Sequence, residues 1–217
     1  MIRCAVFDFD GVILDSNPVK DFAYDQALNS CFPGNAEIVR DILRRPKPMP
    51  RAQTMAQIVE RLVANGSVEA TRFDAAVTQL VDAYGRFVDA GLEVAPPMPG
   101  IPDILEPLAL RMPLYVNTLN PRDRLVTILQ QRNLARFFRE VYGSERSKID
   151  NLADIVDMNG PADSIVVIGD GILDWESARY HRTAFIAVNM PVERLAAYPA
   201  VAHVAGLGEL PQIIAAL

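Results

Sequence analysis

Residues 2–9, IRCAVFDF, read as a buried strand that runs into a turn at Gly11. Its apolar run is followed at once by two carboxylates, Asp8 and Asp10. Beyond the turn, Asn17 offers a helix N-cap with Pro18 at the first helical position. From there to residue 95 the pattern is helical. Met55, Ile58, Val59, Leu62 and Val63 recur at helical spacing, and Phe73, Val77, Leu80, Val81, Tyr84, Phe87 and Val88 repeat it. Gly66 and Gly91 punctuate the ends of these segments. No strand signal lies between 18 and 95. The proline-rich stretch APPMPG, residues 95–100, then predicts a stiff linker between two units.

After that stretch, helices and strands alternate. Helices are expected at 101–110, 122–132, 148–158, 173–181 and 208–216. Strands are expected at 113–118 (PLYVNT), 139–143, 164–169 (SIVVIG) and 184–188 (AFIAV). Such alternation implies parallel pairing in an α/β sheet. The first strand belongs to that sheet, so the helical block is an insertion after it. The expected fold is a Rossmann-like parallel-sheet core made of residues 1–14 and 98–217, carrying an inserted all-helical domain of residues 15–97. Neither an internal repeat nor a low-complexity tract is apparent.

Composition narrows the function. The 217 residues carry 21 Lys and Arg against 27 Asp and Glu, a net charge of −6. That balance argues against a nucleic-acid binder, which normally carries a basic surplus. No apolar run approaches the ~20 residues of a membrane span. Asp8 and Asp10 interrupt the N-terminal apolar stretch and no cleavage site follows, so no secretory leader is expected. Cys4 and Cys31 make no disulfide framework, which fits a reducing cytoplasm. With His181 and His203 as the only histidines, a multi-histidine zinc site is excluded. No G-x-S-x-G, Walker A or G-x-G-x-x-G pattern occurs.

The informative residues stand where strands end: Asp8 and Asp10 after the first, Thr118 closing VNT, and Asp170 and Asp174 after VVIG. In open α/β sheets ligands bind outside the carboxyl ends of the strands. Each residue alone has an ordinary explanation: a lone Asp forms turns or caps helices, and Lys148 alone would be a solvated helix residue. Together they bring carboxylates from two strands to one region. Crowded carboxylates repel unless a proton or cation intervenes, and hard oxygen ligands with few histidines indicate Mg²⁺.

These residues resemble the motifs of the haloacid dehalogenase-like superfamily. FDFDGVILDS is similar to its first motif, VNT to its second, Lys148 in GSERSK to its third and GDGILD to its fourth, in the family's order. Residues 15–97 resemble its helical cap. Leu119 departs from the pattern, standing where relatives often carry Asn. The resemblance implies a Mg²⁺-dependent phosphatase acting on a small-molecule phosphate ester, through an aspartyl-phosphate on Asp8. Asp10 would be general acid and base, and Thr118 and Lys148 would hold the phosphoryl oxygens. Asp8, the Asp10 carbonyl and Asp170 would hold the metal, with Asp174 behind them through water. Backbone N–H groups around Gly11 would help cradle the phosphate. Asp10 separates the chain from the metal-free dehalogenases, which lack this second Asp.

The cap would choose the substrate. Arg44, Arg45, Lys47 and Arg51 lie among prolines in LRRPKPMPR, residues 43–51. They would form either a stiff basic loop for an anionic group or a solvated turn between helices. Asn17 sits where the chain enters the cap. A phosphomutase acting on a sugar phosphate would use the same residues and is the alternative. Neither a nucleic acid nor a membrane is expected as partner, and the chain would work as a monomer or homodimer.

Overall fold

The computed structural model describes residues 1–43, 51–191 and 196–217, with the side chain of Arg51 outside that description. Two compact units emerge. One joins Met1–Asp15 to Pro96–Leu217, and the other is Ser16–Ala95.

In the first unit six strands form one sheet: β1 (Cys4–Phe7), β2 (Leu114–Asn117), β3 (Phe138–Tyr142), β4 (Ile165–Gly169), β5 (Ala184–Val188) and β6 (Ala202–Val204). Their spatial order is β3-β2-β1-β4-β5-β6, and every neighbouring pair is parallel. The chain moves outward from β1 through β2 to β3, then returns to β4 on the other side of β1. That reversal is a topological switch point, where α/β sheets open a crevice for ligands.

Strand alternation explains one face of the core. Cys4 and Val6, Tyr115, Ile165 and Val167, and Phe185 and Ala187 share a buried cluster. They meet Leu152 and Ile155 from helix α7 (Lys148–Asn159) and Ala178 from α8 (Ile172–His181). β1 and β4 are apolar and buried throughout, as central parallel strands must be. Among the described residues, the remaining α-helices of this unit are α5 (Leu105–Ala109), α6 (Arg122–Gln131) and α9 (Leu210–Ala216).

The second unit shows no strand among its described residues; its α-helices there are α1 (Asn17–Cys31), α2 (Ala36–Leu43), α3 (Arg51–Ala64) and α4 (Phe73–Val94). Met55, Ile58, Val59 and Leu62 of α3 are buried. On α4 the buried stripe runs through Ala76, Leu80, Ala83, Tyr84, Val88 and Leu92. Val81 departs from the expected face and is exposed, because it lies about 100° round the helix from Leu80. Gly91 lets α1 approach closely, since a Cβ there would overlap Val19.

Several local expectations need correction. Helix α1 begins at Asn17, so Ser16 occupies the cap position and Pro18 is the second helical residue. β1 ends at Phe7, short of the two aspartates. The APPMPG stretch, expected as a stiff linker, is paired along the α/β unit from Pro96 on. Pro97 forms an antiparallel bridge with Leu14, Asp15 N–H donates to the Pro96 carbonyl at 3.0 Å, and Met98 N–H donates to that of Ile13 at 2.9 Å. Proline blocks one donor per residue, yet the carbonyls and the Met98 amide remain to pair. The short edge strand β6 was not expected. Its three residues, AHV, are too few to show a period.

Candidate active site

Asp8 follows β1 directly, and its N–H donates to the Ile168 carbonyl of β4 at 2.8 Å. The chain then turns tightly. Ile13 and Leu14 N–H both return to the Phe9 carbonyl, and Gly11 N–H donates to that of Leu14 at 2.7 Å. Gly11 has φ of 72°, a left-handed conformation that favours glycine. The Gly11 amide is engaged within the turn, at the place where N–H groups were expected to cradle a phosphate.

On the other side of the switch point, β4 ends at Gly169 and leads through Asp170 into α8. The Asp174 carboxyl packs against Gly169 so closely that a Cβ on Gly169 would overlap it. Asp174 Oδ2 accepts the Gly171 N–H at 3.2 Å, which fixes the carboxylate across the first turn of α8.

Lys148 approaches from α7. Ser147 caps that helix, its hydroxyl oxygen accepting the Asp150 N–H at 3.1 Å, so Lys148 is held as the first helical residue. Asn117, the last residue of β2, donates to the Lys148 carbonyl at 2.9 Å. Asn151 donates to Asn117 Oδ1 at 3.1 Å and to the Gly143 carbonyl at 3.0 Å. This clamp ties the start of α7 to the end of β2.

The result is a buried charge cluster. Lys148 Nζ lies 2.7 Å from Asp8 Oδ1 and 2.6 Å from Asp174 Oδ1, with all three side chains under 10% exposed. Burial alone would push the Lys148 ammonium down, but Asp174 and then Asp8 outweigh it and hold it above its ordinary value. Burial, then the Asp8 charge, push Asp174 up to about 7 against the pull of Lys148. Asp8, Asp170 and Asp174 each present an oxygen, all within 4.8 Å of one another. One ammonium among three carboxylates leaves negative charge to be balanced, and hard oxygens at this spacing suit a hard divalent cation.

Asp10 is buried as well. Its Oδ2 accepts from Asn120 Nδ2 at 2.7 Å. Thr118, fully buried, donates its N–H to the Tyr142 carbonyl at 3.1 Å, and its hydroxyl oxygen accepts from the Asn120 backbone and side-chain N–H groups, each at 3.3 Å. All six residues belong to the α/β unit: Asp8, Asp10, Thr118 and Asp170 just beyond strand ends, Lys148 and Asp174 in the first turns of α7 and α8. Asn17 is the exposed first residue of α1 in the helical unit. Arg44, Arg45 and Lys47 lie outside the described residues, as does the Arg51 side chain.

Asn120 and the pair Asn117 and Asn151 were not expected at the site; Leu119, which stands where relatives often carry Asn, is 44% exposed. The available signal was a second Asn two residues after Thr118, and an Asn on the buried side of α7 beside Leu152.

A profile of the haloacid dehalogenase-like hydrolase family matches residues 5–188. The phosphoglycolate phosphatase of Pseudomonas fluorescens (strain Pf0-1) is 28% identical over 192 residues, covering 82% of this chain; the chain spans 65% of that relative's length. Among solved structures, a phosphatase candidate from Clostridium difficile superposes with a TM-score of 0.77 at 20% identity, over 98% of both chains. YfnB of Bacillus subtilis, solved bound to magnesium, superposes with a TM-score of 0.65 at 18% identity over 99% of both. These two likenesses concern the fold. The family match spans both strands that carry the carboxylates and the lysine between them, and the chain belongs to the haloacid dehalogenase-like hydrolases.

Proposed function

We propose that the chain is a phosphatase that hydrolyses a small phosphorylated metabolite through an aspartyl-phosphate on Asp8. The observation that carries this reading is the pinning of Asp8 by a buried lysine at 2.7 Å, beside two further aspartates. A carboxylate needs no base to activate it, so the absence of histidine from the cluster is no obstacle. What it needs is relief of repulsion from an anionic phosphate, and Lys148 offers that.

In this reading an Asp8 oxygen attacks phosphorus as the bond from phosphorus to the leaving oxygen breaks. Asp10 gives its carboxyl proton to that oxygen. A water molecule then attacks the phosphoryl group on Asp8, Asp10 takes the water's proton, and Asp8 is regenerated with release of phosphate. Thr118 and Lys148 hold the phosphoryl oxygens, and Asp174 holds Lys148. Asp8, Asp170 and the Asp10 carbonyl would hold Mg²⁺, with Asp174 behind them, and the ion would supply further positive charge against the incoming phosphate. Magnesium in the related YfnB structure supports the choice of ion.

The Ser16–Ala95 unit takes the part of a substrate-selecting cap in this proposal. Arg44, Arg45, Lys47 and Arg51, together with Asn17, would receive an anionic end of the substrate. A phosphorylated carboxylic acid, the class named for the Pseudomonas relative, fits that charge.

The test is release of inorganic phosphate from a panel of phosphorylated metabolites with Mg²⁺, comparing wild type with Asp8→Asn. The variant keeps the shape and loses the nucleophile, so it should fall to a few per cent of wild type or less. Substantial residual turnover would remove Asp8 from the role. Isomerised ester without free phosphate would mark a phosphomutase instead.

A further inference from the structure

We propose that Asn120 is a positioning residue that aligns Asp10 for proton transfer to the leaving group. Asn120 Nδ2 lies 2.7 Å from Asp10 Oδ2, and both residues are at most 5% exposed. The orientation of the amide is fixed by its surroundings. Its nitrogen also reaches Thr118 Oγ1 at 3.3 Å, and a flipped amide would set its oxygen against the Asp10 carboxylate. Asn120 itself is braced. Its backbone N–H donates to Thr118 Oγ1, and its carbonyl accepts the Ser144 N–H at 3.0 Å.

The chemistry follows from the donor. An amide N–H gives a hydrogen bond and cannot receive one. The bond to Oδ2 therefore holds one edge of the Asp10 carboxyl group. The bond also stops rotation of the carboxyl group about its last torsion, which is otherwise broad. Asn120 thus narrows the orientations open to the Asp10 carboxyl group. Proton transfer is sensitive to such alignment.

The inference rests on the reading of Asp8 and Asp10 given above, and leaving-group dependence tests the two separately. Wild type, Asp10→Asn and Asn120→Ala are assayed with Mg²⁺ on 4-nitrophenyl phosphate and on glycerol phosphate. The alkoxide of the second ester is much the stronger base and needs a proton to depart. The value of kcat/KM reports the steps through leaving-group departure, so later hydrolysis of the aspartyl-phosphate does not enter. In Asn120→Ala the ratio of kcat/KM for the aryl ester to that for the alkyl ester should rise about tenfold or more over wild type. Asp10→Asn should raise it further. Asn120→Ser, which keeps a shorter donor, should show a smaller rise, and it carries the test if the alanine variant does not fold. A ratio unchanged in both Asn120 variants, whether from equal losses or from none, overturns the inference. A ratio unchanged in Asp10→Asn overturns the acid role of Asp10 instead.

Discussion

Lys148 shows how a single residue can be indispensable to the folded state and to the proposed chemistry at once. It is the counter-ion of Asp8 and Asp174, both almost fully buried. Removing one partner of a buried pair leaves the others charged and unpaired, at a cost of roughly 3–5 kcal/mol. Lys148→Ala should lower stability by that order in metal-free protein, measured by denaturant unfolding. Adding Asp174→Asn to it should restore part of the loss, because one of the two stranded carboxylates is gone. Additive losses would show that the pair is not coupled. The same crowding of Asp8, Asp170 and Asp174 makes a metal prediction. Mg²⁺ binding only the folded chain should raise Tm, with about 2.7 kcal/mol of stabilisation at one hundred times its Kd. EDTA should reverse the rise and stop turnover, and Asp170→Asn should abolish the rise. A Tm indifferent to Mg²⁺ would count against the ion.

At the scale of elements, the ends of β1 and β4 and the starts of α7 and α8 deliver the cluster, and local devices hold them there. β4 relies on Gly169, against which the Asp174 carboxyl rests. Gly169→Ala should displace Asp174 and with it one anchor of Lys148. A loss of about 1–3 kcal/mol, typical of overpacking, is expected in thermal unfolding, with a drop in activity beyond what stability explains. Wild-type stability and turnover would show that α8 moves aside freely. This scale also shows what could be read beforehand. The apolar runs of β1 and β4 and the aspartates after them were legible, because a buried parallel strand leaves a plain trace. Asn120 was not, because nothing local distinguishes an amide that reaches across 110 positions to Asp10 from one that caps the next helix. The pairing of residues 13–15 with 96–98 escaped for a similar reason: prolines signal stiffness, and only the fold shows what lies alongside them.

At the scale of the whole molecule, Cys4 reports on the integrity of the sheet. It is fully buried at the centre of the α/β unit, and burial pushes its thiol up to about 12, with Arg139 pulling weakly the other way. An unfolded cysteine titrates near ~8.5. Below about pH 7.5 both states hold the neutral thiol, and pH has no leverage through this group. Between there and about pH 12 the unfolded chain ionises while the folded chain does not. Stability then declines as pH rises, by up to ~1.4 kcal/mol per pH unit from this one proton. Tyr142, also pushed up to about 12 by burial and by Glu140, acts in the same direction. The two are separated by subtraction. Cys4→Ala keeps Tyr142 and every other titrating group, so the difference in unfolding free energy between wild type and variant should shift steadily in the variant's favour from pH 8 to pH 10. A difference that does not change with pH would mean that the thiol reaches solvent in the native state. Labelling supplies an independent check. Cys31, partly exposed on α1, should react with iodoacetamide in native protein at pH 8, whereas Cys4 should react only at the rate at which the sheet opens.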